Sequence, residues 1–271
     1  MTATGNHDSY RFIALDLDGT VLDASYRVSP AVRSALEKAR DLSFRIIVST
    51  GRVYAATRPH AEKLGRVDGY VCSNGADVYD ADARRIARHH LGERESRALA
   101  VLSRRHASLL TPYLDDAWYY ERDTPYVARY EARTGFKGLR ADFGNLPSME
   151  FTKCIFHDEP AALAPIAADI RVTLGDSVRA VYSSPFMLEV MAPDISKSRG
   201  LAECLAHMGG SLDRTIAFGD AENDLDMLLA AGIGVAMGNA SDEMKRAVGR
   251  VAPSVDDDGV AVWMTEFLGS R

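Results

Sequence analysis

Short runs of wholly apolar residues alternate with amphipathic stretches at both ends of this chain, and the alternation stops in the middle. Phe12-Ile13-Ala14-Leu15 is apolar at every position, the pattern of a strand buried on both faces of a parallel sheet. Ser29-Pro30 then opens a helix, with serine at the N-cap and proline in the first helical position. Val32, Ala35, Leu36 and Ala39 give that helix one apolar face. A second strand over residues 44–48 ends at Ser49-Thr50-Gly51-Arg52. A further helix-like stretch leads to a third strand at Tyr70-Val71-Cys72, followed by Asn74-Gly75. After Ser196 the alternation resumes with a helix ending at Gly209-Gly210, a strand over 215–218, a helix over 224–231, a strand over 233–236 and a helix capped by Ser241.

The texture changes near Ala83. Residues 86–191 hold helix candidates at 93–105 and 161–174, together with strand-like pieces at 109–113, 118–121, 150–156, 178–182 and 186–191. The last two are joined through Ser183-Ser184-Pro185 and read as a hairpin. This mixture predicts a separate α+β domain with antiparallel strands, inserted into an α/β domain. Ligands of such a sheet are expected at the carboxyl ends of its strands.

Composition narrows the function. The 271 residues carry a formal net charge of -6, a poor match for nucleic acid, whose binding is driven by phosphate neutralisation. No apolar run approaches a membrane span. The first nine residues are polar, without a basic n-region or an apolar h-region, and read as a disordered tail with no secretory signal. Cys72, Cys154 and Cys204 are widely spaced, with no metal-binding pattern. They read as reduced core residues of a cytoplasmic protein. The seven histidines, His89-His90 included, show no ligand spacing and read as surface residues.

Polar clusters follow the apolar strands. Asp16-Leu17-Asp18-Gly19-Thr20 stands directly after the first. Asp-Gly is ordinary turn chemistry and accounts for Asp18-Gly19, but not for Asp16. A carboxylate at the end of a buried strand is costly without a cation or several donors. Two carboxylates so spaced can share a hard cation while one stays free for chemistry. Gly219-Asp220-Ala221-Glu222-Asn223-Asp224 alone reads equally well as the acidic first turn of a helix; paired with the first cluster, it favours a metal site. Ser49-Thr50-Gly51-Arg52 suits phosphate contact through hydroxyl and backbone N–H groups. Ser196-Lys197-Ser198-Arg199 puts cations at the wrong end of a helix dipole, a penalty that a bound anion would reverse. The acidic run at 254–259 has Ser at the first ligand position and Thr265 where a bidentate Glu belongs, which excludes an EF-hand.

Asp16-x-Asp18-Gly19-Thr20, Thr50-Gly51-Arg52, Lys197 and Gly219-Asp220-x-x-Asn223-Asp224, in that order, resemble the four motifs of the haloacid-dehalogenase superfamily. An insertion between the second and third motifs is similar to the Cof-type branch. Asn74-Gly75-Ala76, Val235 to Ala240 and Asp258-Gly259-Val260 are smaller echoes. The resemblance spans roughly residues 10 to 268. It implies a Rossmann-like parallel-sheet core over 10–85 and 192–271, with an α/β cap over 86–191. It further implies a magnesium-dependent hydrolase of small phosphorylated metabolites, sugar phosphates or similar, working through an aspartyl-phosphate. Asp16 would be the nucleophile and Asp18 the acid and base. Thr50, the Gly51 amide and Lys197 would hold the phosphoryl group, and Asn223 would contact substrate. Magnesium would sit on Asp16, the Asp18 backbone carbonyl and Asp220, with Asp224 assisting. Two alternatives stay open: a phosphohexomutase, with Arg129 and Arg133 as a second phosphate site, and a binding sensor without turnover. Asp115, Asp116, Tyr126 and Arg129 are further candidates for facing a cleft.

Overall fold

The computed structural model describes residues 10–269, the side chains of Arg133 and Thr134 excepted. The expected tail at 1–9, and Arg133 as a phosphate contact, lie outside the described residues. The chain divides into two units, one built from the segments before and after an insertion and one from residues 89–195.

The first unit is a seven-stranded sheet. Its strands are β1 (Phe12–Leu15), β2 (Arg45–Ser49), β3 (Gly69–Cys72), β4 (Asp77–Asp80), β5 (Arg85–Arg88), β12 (Thr215–Gly219) and β13 (Ile233–Ala236). The order is β13-β12-β1-β2-β3-β4-β5, parallel from β13 through β3 and antiparallel beyond. Leu15 stands beside both Phe218 and Val48, and Ser49 beside Val71. The carboxyl ends of β1, β2, β3 and β12 therefore meet along one edge.

Alternate residues of each parallel strand enter different cores. Ile13, Leu15, Ile46, Val48, Ile216 and Phe218 pack with α1 (Pro30–Asp41) and α9 (Gly259–Gly269). Ala14, Ile47, Val71, Ala217 and Ala236 pack with α6 (Lys197–His207), α7 (Leu225–Ala230) and α8 (Asp242–Val248). Helices on both faces explain why these strands are apolar throughout. Fully burying a side chain such as Leu36 contributes roughly 1.5–3 kcal/mol. Ser29, Ser196 and Ser241 cap α1, α6 and α8, each hydroxyl accepting from the N–H three residues on. The short α2 (Tyr54–Ala61) follows β2.

The hairpin β4–β5 corrects the sequence reading, which ends this sheet at β3. Its strands are short, and β5 is a half-exposed edge with Arg85 and Arg88 at its ends, so no buried apolar run announces it. Pairing with β4 keeps residues 86–88 in the first unit. Between β3 and β4 the chain takes three left-handed residues in succession, Ser73, Asn74 and Gly75, with φ of 51°, 59° and 101°. For a residue with a side chain that conformation costs about 1–2 kcal/mol.

The second unit holds α3 (Glu93–Arg105), β6 (Leu109–Leu114), β7 (Ala117–Tyr120), α4 (Pro125–Thr134), β8 (Leu139–Arg140), β9 (Lys153–His157), α5 (Pro160–Leu174), β10 (Arg179–Ser184) and β11 (Met187–Met191). Its sheet runs β10-β11-β9-β6-β7-β8 and is antiparallel except for the last pair. Leu110, Cys154, Phe156, Leu188 and Val190 pack with α3 and α5 in one core. The strand expected at 150–156 starts at Lys153; just before it, Phe151 O accepts from the Leu91 N–H and the Thr152 N–H donates to Tyr113 O of β6. His157 overturns the reading of histidines as surface residues: it is 3% exposed and pairs with Thr111 Oγ1 at 2.8 Å. The three cysteines are buried, as expected of core residues. Among the described residues no helix is long and apolar enough to cross a membrane.

Candidate active site

The edge where the parallel strands end gathers the polar motifs. Asp16 leaves β1 with its N–H still bonded to the Phe218 carbonyl, so its carboxylate is fixed at the strand end, 6% exposed. The chain then turns tightly, with Leu17 O accepting from the N–H groups of Thr20, Val21 and Leu22. Gly19 has φ +84°, and a methyl group built on it would come 2.4 Å from Asp220 Oδ2. Only glycine lets the two acidic loops approach so closely. Thr20 Oγ1 donates to Asp220 Oδ1 at 3.1 Å. Asn239 Nδ2 donates to Gly19 O at 2.9 Å and to Asp220 Oδ2 at 3.2 Å.

Lys197, the first residue of α6, is 1% exposed. Its Nζ donates to Asp16 Oδ1 at 2.6 Å and to Asp224 Oδ1 at 2.5 Å. The other oxygen of Asp224 accepts the N–H groups of Asp220 and Ala221, at 3.1 and 3.0 Å. The cation at the wrong end of a helix dipole is thus compensated by carboxylates of the protein itself. Asp16, Asp220 and Asp224 each present one oxygen, all within 4.8 Å of one another.

Three carboxylates around one ammonium leave negative charge uncompensated. Burial pushes the Asp16 carboxyl well above its usual range; Lys197 pulls it down, while Asp224 and Asp220 push it further up. Burial and Asp224 also push Asp220 up, to about 6. Burial by itself would lower the Lys197 ammonium, but Asp16 and Asp224 outweigh it and hold it above its ordinary value.

Asp18 lies outside this group. Its two carboxylate oxygens accept from Arg52 Nη2 and Nε, each at 2.6 Å, a bidentate pair. Arg52 also reaches His60 Nε2 at 3.2 Å, and its guanidinium lies 5.1 Å from the Tyr26 ring centre. Thr50 is buried at the end of β2, its N–H on Val71 O and its Oγ1 accepting from the Arg52 N–H. Gly51 follows it, and Asn223 Nδ2 donates to Asn74 Oδ1 at 2.9 Å. The structure therefore joins Asp16, Lys197, Asp220 and Asp224, sets Thr50 and Gly51 on the neighbouring strand end, and engages Asp18 and Asn223 elsewhere. Asp115, Asp116, Tyr126 and Arg129 belong to the second unit, where Tyr126 Oη donates to Glu159.

Sequence reasoning gave no role to Thr20, Arg52 or Asn239. All three stand inside stretches that carry the family resemblance, which is the available signal. Their work consists of bonds to residues far along the chain.

Residues 13–264 match the family model described as haloacid dehalogenase-like hydrolase. The chain belongs to this family. Pyridoxal phosphate phosphatase YbhA of Escherichia coli (strain K12) is 30% identical, over 95% of this chain and 98% of the relative. The 5-amino-6-(5-phospho-D-ribitylamino)uracil phosphatase YitU of Bacillus subtilis (strain 168) is 27% identical, over 94% and 97%. A haloacid dehalogenase-like hydrolase from Bacteroides thetaiotaomicron superposes with a TM-score of 0.87 at 25% identity, covering 95% of this chain and 99% of that one. This hydrolase is a Cof-type phosphatase.

Proposed function

We propose that this phosphatase hydrolyses a small phosphorylated metabolite through an aspartyl-phosphate on Asp16. The observation that carries the reading is the cluster of Asp16, Asp220 and Asp224 beside Lys197, with Asp16, Asp224 and Lys197 buried and Asp220 partly exposed. That set is what phosphoryl transfer needs, since its catalysis consists mostly of positioning and charge stabilisation. The substrates named for YbhA and YitU, pyridoxal phosphate and a phosphoribityl uracil, support a small phosphate monoester.

The donor set also fits a magnesium ion. The available ligands are all hard oxygens, and a dication would offset both the burial and the carboxylate repulsion that raise Asp16 and Asp220. Asp16, Asp220 and the Asp18 backbone carbonyl would hold it, with Asp224 behind them. Bound there, it supplies positive charge against the phosphoryl oxygens.

The residues divide the remaining work. Asp16 attacks phosphorus, the new bond forming as the bond to the leaving oxygen breaks. Asp18 gives that oxygen a proton, then takes one from the water that attacks the aspartyl-phosphate and frees phosphate and Asp16. Both Asp18 oxygens rest on Arg52, so this pair must open before Asp18 can act. Thr50, the Gly51 amide and Lys197 hold the phosphoryl oxygens.

A panel of phosphorylated metabolites assayed with magnesium tests the reading. Phosphate release from at least one small monoester is expected, lost with chelator and restored by added magnesium. Asp220→Ala should raise the magnesium concentration needed for half-maximal rate by about tenfold or more. Full turnover after exhaustive chelation would overturn the metal assignment.

A further inference from the structure

The left-handed turn between β3 and β4 touches the Thr50-Gly51 loop and the start of α6, to which phosphate binding is assigned, and Asn223, to which substrate contact is assigned. The Ser73 N–H donates to Arg52 O at 2.8 Å, and the Asn74 N–H to Thr50 O at 3.0 Å. Two successive amides thus tie the backbone on either side of Gly51. The Asn74 side chain faces the other way along the same edge, its Oδ1 accepting from Asn223 Nδ2 at 2.9 Å. Gly51 packs closely on Asn74, since a methyl group built on it would stand 3.2 Å from Asn74 Oδ1 and would press that side chain aside. Gly75 seats against the start of α6, where a methyl group would collide with Ser196 O at 2.2 Å.

The turn is not arranged for its own comfort. Ser73 carries a side chain in the left-handed region, and its hydroxyl is buried without a hydrogen-bond partner among the described residues. Strain of this kind persists where the surroundings enforce it, and it clusters at functional sites. What it secures here is the separation between the Thr50-Gly51 loop and Asn223.

We propose that Asn74 is a positioning residue for phosphate binding. Its amide side chain and backbone N–H together fix the Thr50-Gly51 backbone against Asn223, so that both loops meet the phosphoryl group in register. The inference rests on the phosphatase reading of this site.

Asn74→Gly isolates the side chain, since glycine takes the left-handed conformation freely and keeps the N–H that bonds to Thr50 O. The measurements are kcat and KM for the best substrate found, competitive inhibition by inorganic phosphate, and the melting temperature. The variant should melt close to wild type, bind inorganic phosphate about tenfold more weakly or worse, and lose on the order of 10²-fold in kcat/KM, the scale of a small misplacement of binding groups. Asn223→Ala should give a similar loss, and the double variant little more than either alone, because the two side chains act through one bond. Wild-type kinetics and phosphate inhibition in Asn74→Gly, whatever its melting temperature, would reduce Asn74 to a turn residue and overturn the proposal. Full additivity with Asn223→Ala would overturn it as well. A wild-type enzyme that neither hydrolyses a phosphate monoester nor binds inorganic phosphate would overturn the phosphatase reading and this inference together.

Discussion

Lys197 and Lys153 are both nearly inaccessible, one in each unit, and they differ in the company they keep. Lys197 donates to two carboxylates, Asp16 and Asp224, with Asp220 close by. Lys153 meets Glu189 at 3.2 Å and lies 5.3 Å from the centre of the Tyr113 ring, on the face of the second sheet that also carries Thr111 and His157. The second arrangement balances one charge against one charge. Burial opposes ionisation of Glu189, yet Lys153 and the Ser183 hydroxyl hold its carboxyl below its ordinary value. In the first arrangement Asp16 and Asp220 are pushed the other way. A buried pair that satisfies itself belongs to the architecture. A buried excess of one sign costs stability and is retained where it serves a ligand or a reaction.

This contrast predicts opposite responses to substitution. Asp16→Asn should lower kcat/KM by about 10³-fold or more while leaving the melting temperature unchanged or raised, because one of the crowded charges is gone. Turnover within tenfold of wild type would remove Asp16 from the chemistry. Lys153→Met should act on the fold, costing about 3–5 kcal/mol by leaving Glu189 buried and unpaired. Lys153→Met combined with Glu189→Leu should recover most of that loss in denaturant titrations. A folded Lys153→Met variant that lost turnover as steeply as Asp16→Asn would erase the distinction between the two lysines.

The smallest effect concerns pH. Glu189 is held below its usual value of 4.5, with Lys153 and His157 as the neighbouring basic groups. A depressed carboxyl contributes stability that is complete above its unfolded value and is lost as pH falls through its folded value. Wild type should therefore lose stability more steeply than Glu189→Gln as pH falls below 4.5, in denaturation curves recorded at a series of pH values. Parallel curves would show that Glu189 contributes no such linkage.

The parallel strands were legible because burial on both faces leaves them apolar at every position, as in Phe12-Ile13-Ala14-Leu15. The hairpin β4–β5 was not, since its outer strand is exposed and charged. His157 misled for a related reason. Lys153, Ile155 and His157 alternate with Cys154 and Phe156, and that pattern looks like a strand with one wet face, whereas this face is closed over. At the site, Asp16, Lys197, Asp220 and Asp224 could be found because each stands in a motif at a strand end or helix start. The fork of Arg52 on Asp18, the bond from Asn239 to Gly19 and the Asn74–Asn223 contact join distant positions. No local pattern encodes such meetings.

The place of β1 in its sheet has a consequence for synthesis. β1 is flanked by β2, made soon after it, and by β12, which begins at Thr215. As the chain grows from its N-terminus, one side of β1 can pair at once, while the other remains an open apolar edge until the whole of the second unit has emerged. Such an edge is a template for pairing with the wrong strand, in this molecule or another. The second unit has its own core and sheet to form during that interval. Asp16 waits at the same edge for Lys197, Asp220 and Asp224, so the constellation is completed only when β12 has docked. For this protein, the appearance of activity during translation would report the last long-range pairing rather than the first.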